Sequence, residues 1–553
     1  MKNLKKYFVS LVTATLILSC NLNKLDNPSL LPASSADPSL VLNGVQVNLA
    51  DFFYNISDGT MAASRMVEFF GPIYNNQYIP SYFNYVWQAA YSNILVNTQL
   101  VIAKATSNGY YTHSGIAKVI QAYVAMTMAD VFGSVPYSKA LDPTNFNPPA
   151  DNSSDIYTAA LALLDDAITD LGKPAPTVTT DLYYGGNANK WITFANTLKL
   201  KAALNKKLID PSGSATTINA LITANDLIDA ADGSEDFVFR YSTNISNPDS
   251  RHPYFTINYV QGASTYHTNW LMWNMRYGKT DVSNNYIIDP RIRYYYCRMT
   301  GFINAADPDI TNLLACATNS RPTRYTNPNW PFCYPKDKNG NNEGYWGRDY
   351  GDASGTPPDT KSRTNWGVYP IGGKFDDNSF IPVKNTDGLQ GAGIAPIMMS
   401  SFTDFMKAEA ALTIPGVSGN PQALLISAVT KSINTVMNFG ASVASPTYTP
   451  TATDVNNYIN NVQTRFAAGT ADQQMDIIGK EYWIAGFGNG IEIYNMYRRT
   501  GKPGDMQPAL RDPGQYPNTM PYPLVYTAQN NKSVQKDFST KVFWNTAQYP
   551  TVY

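Results

Sequence analysis

Aromatic and planar polar residues are concentrated between positions 330 and 369 of the chain. The aromatic members follow neither helical nor alternating spacing. Sugar rings present flat patches of C–H that stack on aromatic faces, while amide, carboxylate and guanidinium groups bond sugar hydroxyls. The stretch therefore predicts a carbohydrate-binding surface with partly exposed rings. Its members are Trp330, Phe332, Tyr334, Tyr345, Trp346, Tyr350, Trp366 and Tyr369, with Asn329, Arg348, Asp349, Asp352 and Asn365 as polar partners.

Most of our ligand-binding candidates come from this cluster. The others come from two further aromatic groups, Tyr266 with Trp270 and Trp273, and Tyr74 with Tyr78 and Tyr82. The alternative is that the rings attach a long loop to the scaffold of a structural protein, which predicts that they are buried. The candidates are Trp330, Tyr345, Trp346, Arg348, Asp349, Trp366, Trp270, Trp273 and Tyr78.

Motifs for catalysis and metal binding are missing from the sequence. There is no GxSxG, HExxH, P-loop or dinucleotide fingerprint. The segment Asp337–Glu343 resembles the start of a calcium loop but has Asn342 and Arg348 where such a loop needs Gly and Glu, so an Asn/Gly turn is predicted. We expect no catalytic residue, metal or cofactor. A glycoside hydrolase remains the alternative, with two carboxylates brought together only by the fold.

Four cysteines are present. Cys20 ends an N-terminal segment that has a charged start, an apolar stretch from Tyr7 to Leu18, and Ser19. This layout predicts a lipoprotein signal over residues 1–19 and lipidation of Cys20, with an ordinary secretory peptide as the alternative. A flexible tether is predicted over residues 20–38. Since no CxxC motif occurs, Cys297, Cys316 and Cys333 should form one disulfide and leave one buried thiol.

The bulk composition limits the possible partners. The chain has 553 residues, a net charge of −1 and only 15% charged residues. A nucleic-acid-binding protein needs a basic face, so this class is excluded. No second run of 18 apolar residues follows the signal, so no other segment is expected to enter the membrane.

Helical periodicity predicts a mainly α-helical scaffold over residues 39–210 and 396–500. Residues 211–395 lack such periodicity and should form irregular ligand loops, with a short strand at 237–241, and residues 501–553 should form a C-terminal loop region. Helices are predicted at 115–131, 155–171, 191–208, 401–412, 421–439, 454–466 and 472–499, the last interrupted at Gly486–Gly490.

Several blocks, in the same order along the chain, resemble the SusD/RagB family of outer-membrane nutrient-binding lipoproteins. They are Trp87 to Asn97, Asp130 to Tyr137, Asp181 to Gly185 with Trp191 to Leu200, Asp289 to Arg291, Phe405 to Ala411, Gly490 to Gly501, and Pro521 to Pro523 with Asn530 and Asn531. Lys201 and Lys206 stand where arginine is common, which we interpret as a tolerated surface change. Glu409 should pair with Arg498 or Arg499.

The resemblance implies a single domain over residues 39–553, with tetratricopeptide-like helix pairs as scaffold, ligand loops on one side and minor β structure. It implies a non-enzymatic protein that is anchored to the outer membrane, faces the exterior, and delivers oligosaccharides to a SusC-type TonB-dependent barrel. A peptide-binding member of the same system is the alternative. The acidic residues that follow the lipidated cysteine in many surface-displayed members are absent here, where the sequence is Asn21 to Asp26.

Overall fold

A computed structural model describes residues 36–69, 71–262, 265–304, 316, 319–354 and 363–547. The predicted signal peptide, Cys20 and most of the predicted tether lie outside the described residues. The helices are α1 Pro38–Ala63, α2 Tyr74–Gln77, α3 Asn84–Gln88, α4 Val96–Ser107, α5 Tyr111–Phe132, α6 Ser153–Leu171, α7 Ala188–Asn205, α8 Pro211–Ala224, α9 Pro253–Phe255, α10 Asn269–Tyr277, α11 Ile292–Tyr295, α12 Ser400–Thr413, α13 Pro421–Gly440, α14 Ala452–Ala468, α15 Ala471–Ala485, α16 Gly490–Thr500 and α17 Leu524–Thr527.

The described residues also contain shorter helical turns and four strands. π-Helical turns cover Ala89–Leu95, which joins α3 to α4, and Thr256–Val260, and a 3-10 turn covers Lys206–Leu208. The strands are β1 Phe237–Arg240, β2 Tyr296–Cys297, β3 Asn365–Trp366 and β4 Ile394–Met398.

Consecutive long helices pack against each other, as the periodicity predicts, and the fold is mainly α-helical with a tetratricopeptide-like arrangement. Side-chain caps set several helix starts. Thr451 and Asp454 form a capping box at α14, and Thr470 and Gln473 form one at α15. These reciprocal bonds satisfy backbone donors that a helix start leaves unpaired. Each predicted helix is present, with ends that differ by a few residues.

Helix α5 lies in the core. It is long and apolar enough to cross a bilayer, but 89% of its most apolar window is buried inside the protein. Its buried residues extend from Thr112 to Phe132 and include every residue in that range except Lys118 and Gln121. A helix that is apolar on all sides is expected at the centre of a large soluble domain.

The predicted break at Gly486–Gly490 is confirmed, because α15 ends at Ala485 and α16 begins at Gly490. The break allows α16 to lie against α1. A Cβ atom at Gly490 would approach Met61 N to 2.2 Å, and Gly490 N donates to Ser57 Oγ over 2.9 Å. Glycine is therefore required where the two helices meet.

The irregular region between the two helical halves begins and ends in one small sheet. Strand β1 pairs antiparallel with β4, with Phe237 opposite Met398 and Arg240 opposite Ile394. A second ladder places Tyr296 of β2 opposite Trp366 of β3. The chain therefore enters and leaves this region through adjacent strands, so the scaffold holds its two ends together.

A buried group of charged and polar side chains joins the two helical halves. We call it the central polar network. Asp130 accepts from Asn495 Nδ2 over 2.8 Å and from Trp544 Nε1 over 3.0 Å, and Tyr157 also bonds to it. Lys201 Nζ lies 2.5 Å from Glu492 Oε1. The network consists of Asp130, Tyr157, Lys201, Asn205, Lys207, Glu409, Glu492, Asn495, Arg498, Arg499 and Trp544.

Lys201 corrects one sequence interpretation. Its side chain is only 2% exposed, so it is not a surface residue. Its ammonium lies between Glu492 and Asp130, the latter at 3.7 Å. A buried lysine is tolerated only when it is paired, and two carboxylates supply that pairing.

The predicted pairing of Glu409 with Arg499 is confirmed. Arg499 donates to both carboxylate oxygens of Glu409 over 2.6 and 2.8 Å, and Lys207 Nζ lies 2.8 Å from Oε1. Burial alone would raise the pKa of Glu409, but the Arg499 guanidinium and the Lys207 ammonium together lower it to about 2. Glu409 is therefore ionised throughout the neutral range.

A second buried network holds the irregular region on α14 and α15. Arg291 is fully buried and donates to both oxygens of Asp289 over 2.9 and 2.7 Å. It also donates to Glu481 Oε2 over 3.3 Å, and Lys279 Nζ lies 2.8 Å from Glu481 Oε1. The hydroxyl of Tyr458 lies 2.7 Å from Asp289 Oδ2. The Asp-Pro-Arg block therefore fixes the loops to the scaffold.

Replacing Glu409 tests the central polar network. We expect Glu409→Gln to lower the free energy of unfolding by about 3–5 kcal/mol, because it leaves two buried cations without their counter-charge. Urea denaturation measures this change. The matched control is Asp165→Asn, which removes the partner of Lys199 but has a side chain that is 63% exposed, and should cost less than about 1 kcal/mol.

The same variant has a defined pH dependence. Glutamate has a pKa of about 4.3 in unfolded chains, so the stabilisation by ionised Glu409 is fully present above that value. It is lost as the pH falls toward the folded pKa of about 2. The stability difference between wild type and Glu409→Gln should be constant near neutral pH and shrink below about pH 4. A difference that grows on acidification would contradict this assignment.

Candidate functional site

The structure buries most of the predicted aromatic cluster. Tyr345, Trp346 and Trp366 are at most 2% exposed, and so are the candidate polar residues Arg348 and Asp349. The candidates Trp270 and Tyr78 are equally buried. The expectation that the cluster is partly exposed is therefore wrong for these residues. Trp330 and Trp273 are the candidates that keep partly exposed side chains.

The burial has a physical cause. Residues 225–393 contain few regular elements, so the segment cannot form a core from helix or sheet faces. Each large aromatic ring buries roughly 150–250 Å², which allows a few rings to build a core inside irregular backbone. The rings between 330 and 369 serve this purpose, as the structural alternative predicts.

Trp366 lies at the centre of one such core. Its ring stacks on Tyr254 with centroids 4.5 Å apart and meets His267 edge to face at 4.7 Å. Its indole N–H lies 3.1 Å from Thr265 Oγ1. Burial lowers the pKa of His267 to about 3, so the imidazole is neutral at physiological pH. The surroundings of Trp366 are those of a packing residue.

Trp346 lies in a second, smaller core with Ile303 and the disulfide between Cys316 and Cys333. Cys297 is a free buried thiol. The sequence prediction of one bridge and one buried thiol is confirmed. Because Trp346 is only 1% exposed, a ligand cannot reach this ring in the described structure.

Arg348 and Asp349 have structural partners. The Arg348 guanidinium lies 4.4 Å from the centre of the Tyr266 ring and donates to Asp352 O over 3.0 Å. Asp349 accepts from Cys333 N over 2.7 Å and from Asn269 Nδ2 over 3.2 Å. Burial raises the pKa of Asp349 to about 7 in spite of these hydrogen bonds. Both residues hold loop segments together.

Trp330 is linked directly to one ion pair, and Trp273 is linked to it through Trp270. Trp330 donates its indole N–H to Asp505 O over 2.8 Å. Trp273 stacks on Trp270 with centroids 5.1 Å apart and donates to Lys336 O over 3.1 Å. Lys480 Nζ lies 6.0 Å from the Trp270 ring and 2.5 Å from Asp505 Oδ2. We call Trp270, Trp273, Trp330, Lys480 and Asp505 the tryptophan patch.

The tryptophan patch combines apolar faces with polar groups at its edges. Both partly exposed rings are oriented by hydrogen bonds to backbone carbonyls, so their faces are preorganised. The Asp505 side chain is 32% exposed, although its Oδ1 is buried and has no hydrogen-bond partner among the described residues. Sequence reasoning found the tryptophans but missed Lys480 and Asp505, because they lie about 150 and 175 positions from Trp330.

Two open clefts lie outside the tryptophan patch. One, of about 780 Å³, lies between residues 280–293 and 447–464 and is lined by amide and hydroxyl side chains together with charged and apolar residues. The other, of about 740 Å³, is centred on Trp87 and Tyr526. Sequence reasoning did not select either one, because each is assembled from segments that are distant in sequence.

The segment that resembles the start of a calcium loop is a turn. Asp337 Oδ1 accepts from Asn339 N and Asn341 N, both over 2.8 Å. Its carboxylate therefore caps the turn, as predicted. Within the described ranges there is no group of three or more His, Cys, Asp or Glu side chains placed to hold a metal ion.

Two family models match the chain. One, described as "Starch-binding associating with outer membrane", matches residues 32–311. The other, described as "Susd and RagB outer membrane lipoprotein", matches residues 390–541. No curated protein matches the sequence.

Solved structures share the fold. A chitin-binding SusD homolog from Flavobacterium johnsoniae has 18% identity and a TM-score of 0.62, and the match covers 92% of this chain and 98% of that chain. A SusD/RagB family protein from Bacteroides thetaiotaomicron has 20% identity and a TM-score of 0.64, with 93% and 100% covered. A SusD homolog from Bacteroides uniformis has 17% identity and a TM-score of 0.61, with 92% and 99% covered. These similarities confirm the fold class.

Alanine substitutions should separate packing tryptophans from surface tryptophans. We expect Trp346→Ala and Trp366→Ala to destabilise the protein by about 3–5 kcal/mol each, since each leaves a large cavity. Trp273→Ala and Trp330→Ala should cost about 1–2 kcal/mol, mainly through one lost hydrogen bond and partial burial. Urea denaturation of the four variants checks this order. Wild-type stability in Trp346→Ala or Trp366→Ala would place that ring outside the core.

Proposed function

The chain belongs to the SusD/RagB family of outer-membrane lipoproteins, and we propose that it captures oligosaccharides without cleaving them and passes them to a SusC-type TonB-dependent transporter. The observation that supports capture is the tryptophan patch, where Trp273 and Trp330 are partly exposed and oriented by hydrogen bonds, Trp330 contacts Asp505, and Trp273 stacks on Trp270 near Lys480. The matching family model is described as starch-binding, and one structural neighbour is a chitin-binding protein. Both polymers are built from pyranose rings.

The chemistry of the patch suits an uncharged ring with hydroxyl groups. C–H patches of a pyranose would cover the two tryptophan faces and remove apolar surface from water. The Asp505 carboxylate, which is 32% exposed and pairs with Lys480 through Oδ2, would accept a hydroxyl, and the Lys480 ammonium would donate to one. A hydroxyl bonded to an ionised group forms a stronger hydrogen bond than one bonded to a neutral group.

Delivery to a transporter requires attachment and reach. Residues 21–37 separate Cys20 from the start of α1 at Pro38. A chain of this length spans at most roughly 60 Å when fully extended. We propose that Cys20 carries the lipid, that the body faces the exterior, and that the body closes over a barrel in the same membrane.

Ligand binding tests the proposed capture function. Chitohexaose and maltoheptaose serve as probes, measured by isothermal titration calorimetry on the purified mature protein. We expect Trp273→Ala and Trp330→Ala each to weaken binding at the patch about tenfold, because aromatic residues contribute most at such contacts. Val534→Ala, which changes an exposed side chain outside the patch and outside both clefts, is the control and should bind as wild type.

Three results would contradict the capture proposal. Wild type that binds neither probe but binds a tryptic peptide mixture would indicate a peptide-binding protein. Shortening of either probe by pure wild type would indicate an enzyme. Unchanged affinity in both tryptophan variants would place the site elsewhere.

The lipid anchor gives a separate prediction. Cys20→Ser removes the acylated thiol, so the protein should leave the outer-membrane fraction and appear in the soluble fraction. A TonB-dependent barrel should co-purify with wild type and be lost with Cys20→Ser. Unchanged membrane fractionation of Cys20→Ser would exclude this anchor, and wild type that recovers no barrel would contradict the transporter partnership.

A further inference from the structure

The cleft around Trp87 has an aromatic floor. Trp87 and Tyr526 stack with centroids 4.5 Å apart, and Tyr91 lies 5.2 Å from Trp87. The volume of about 740 Å³ lies within the range of roughly 300–1,000 Å³ that is usual for small-molecule sites.

One wall of the cleft ends in Phe146, whose side chain is 85% exposed. At this exposure the ring contributes little to the packing of the core. The loop that carries Phe146 is closed at its base by a bridge between Val135 and Asp151. The Asp151 carboxylate also accepts from Tyr137 N over 2.7 Å and from Ser138 N over 3.0 Å.

The C-terminal region braces the same loop. Asn530 Nδ2 donates to Pro148 O over 2.7 Å, and Asn531 N donates to Asn147 Oδ1 over 2.9 Å. These bonds hold the residues on the C-terminal side of Phe146. The exposure of its ring is therefore built into the loop and does not follow from loose packing.

The remaining walls are equally fixed. The hydroxyl of Tyr91 donates to Pro136 O over 2.7 Å, which ties the π-helical turn to the start of the loop. Val525 N donates to Asn84 Oδ1 over 3.2 Å, which ties α17 to the start of α3. Hydrogen bonds fix the spacing of all three walls, so ligand binding should cost little conformational entropy in the protein.

The polar groups of the cleft are mostly uncharged. Gln88, Ser92, Asn145, Gln529 and Asn530 contribute amides and a hydroxyl, and Asp142 contributes the one charged side chain among the lining residues. Rings on the floor and amides at the rim are the combination that an uncharged sugar requires. A charged peptide or a phosphorylated ligand would find no lysine or arginine in this lining.

We infer that the cleft formed by Trp87, Tyr91, Phe146 and Tyr526 is a second carbohydrate-binding site, which takes a short stretch of a neutral glycan chain. The choice of ligand class rests on the proposed function. A sugar ring would lie between the floor and the Phe146 ring, and its hydroxyls would face the amide rim. Two sites on one chain would hold the same polymer more tightly than either site alone.

A protein partner is the competing occupant, and the geometry favours it less. A bound peptide commonly adds a strand to a free sheet edge, or it forms a helix whose apolar face binds in an apolar groove. The walls of this cleft are a helix, a loop braced by side chains and a short helix, with no strand among the described lining residues. The rim of amides would also leave polar groups facing an apolar helix.

Calorimetric stoichiometry on the full mature protein tests the inference. With chitohexaose or maltoheptaose, wild type should bind two equivalents, and Trp273→Ala/Trp330→Ala should retain one. Adding Phe146→Ala and Gln529→Ala to that variant should abolish the remaining equivalent, and Phe146→Ala alone should weaken it about tenfold. Phe302→Ala, an exposed phenylalanine outside the cleft, is the matched control and should change neither equivalent.

The outcomes separate this inference from the proposed function. One equivalent in wild type, lost with the tryptophan patch and insensitive to Phe146→Ala, would overturn the second site and leave capture intact. No binding of either probe would overturn both. Loss of barrel co-purification in Phe146→Ala, with two equivalents still bound, would show a protein interface and overturn the inference. Phe146 and Gln529 are exposed, so unchanged melting temperatures should accompany these variants.

Discussion

The central polar network is the constraint on which the rest of the structure depends. Its charges lie in the interior, where each one costs several kcal/mol unless it is paired and hydrogen-bonded. Pairing requires α5, α7, α12 and α16 to meet in one arrangement, since Asp130, Lys201, Glu409 and Arg499 come from different helices. Trp544 adds the C-terminal region through its bond to Asp130. The network thus holds together segments that are more than 400 positions apart in the sequence.

This rigid frame makes the irregular region possible. The ends of the region are adjacent in the β1–β4 ladder, and its middle is fixed to α14 and α15 through Arg291. With three points of attachment, the backbone between them need not form long helices or a large sheet. Buried rings such as Trp366 then supply the packing that regular elements supply elsewhere. Most aromatic rings of this region therefore serve to pack its irregular backbone.

Periodicity was sufficient to predict the helices of the scaffold. It did not predict which buried side chains pair with each other. The helix Ser153–Leu171 is visible in the sequence because its apolar residues repeat at helical spacing. The burial of Lys201 could not be predicted from the sequence, because its partners Glu492 and Asp130 come close to it only in the folded structure. The candidate site was predicted in part: the sequence singled out Trp273 and Trp330 but not Lys480, Asp505 or Phe146. Whether those rings contact a ligand stays a prediction, and irregular spacing does not reveal which rings of a loop face inward.

A physical criterion separates the two kinds of aromatic residue. When the backbone around a ring depends on that ring for its packing, the ring is part of the core, as Trp346 is beside its disulfide. When the backbone is held by other bonds and the ring still faces solvent, packing does not explain the ring. Phe146 meets the second condition, because Asp151, Asn530 and Asn531 hold its loop without it. We propose recognition as the role of this exposed, preorganised ring beside an aromatic cleft.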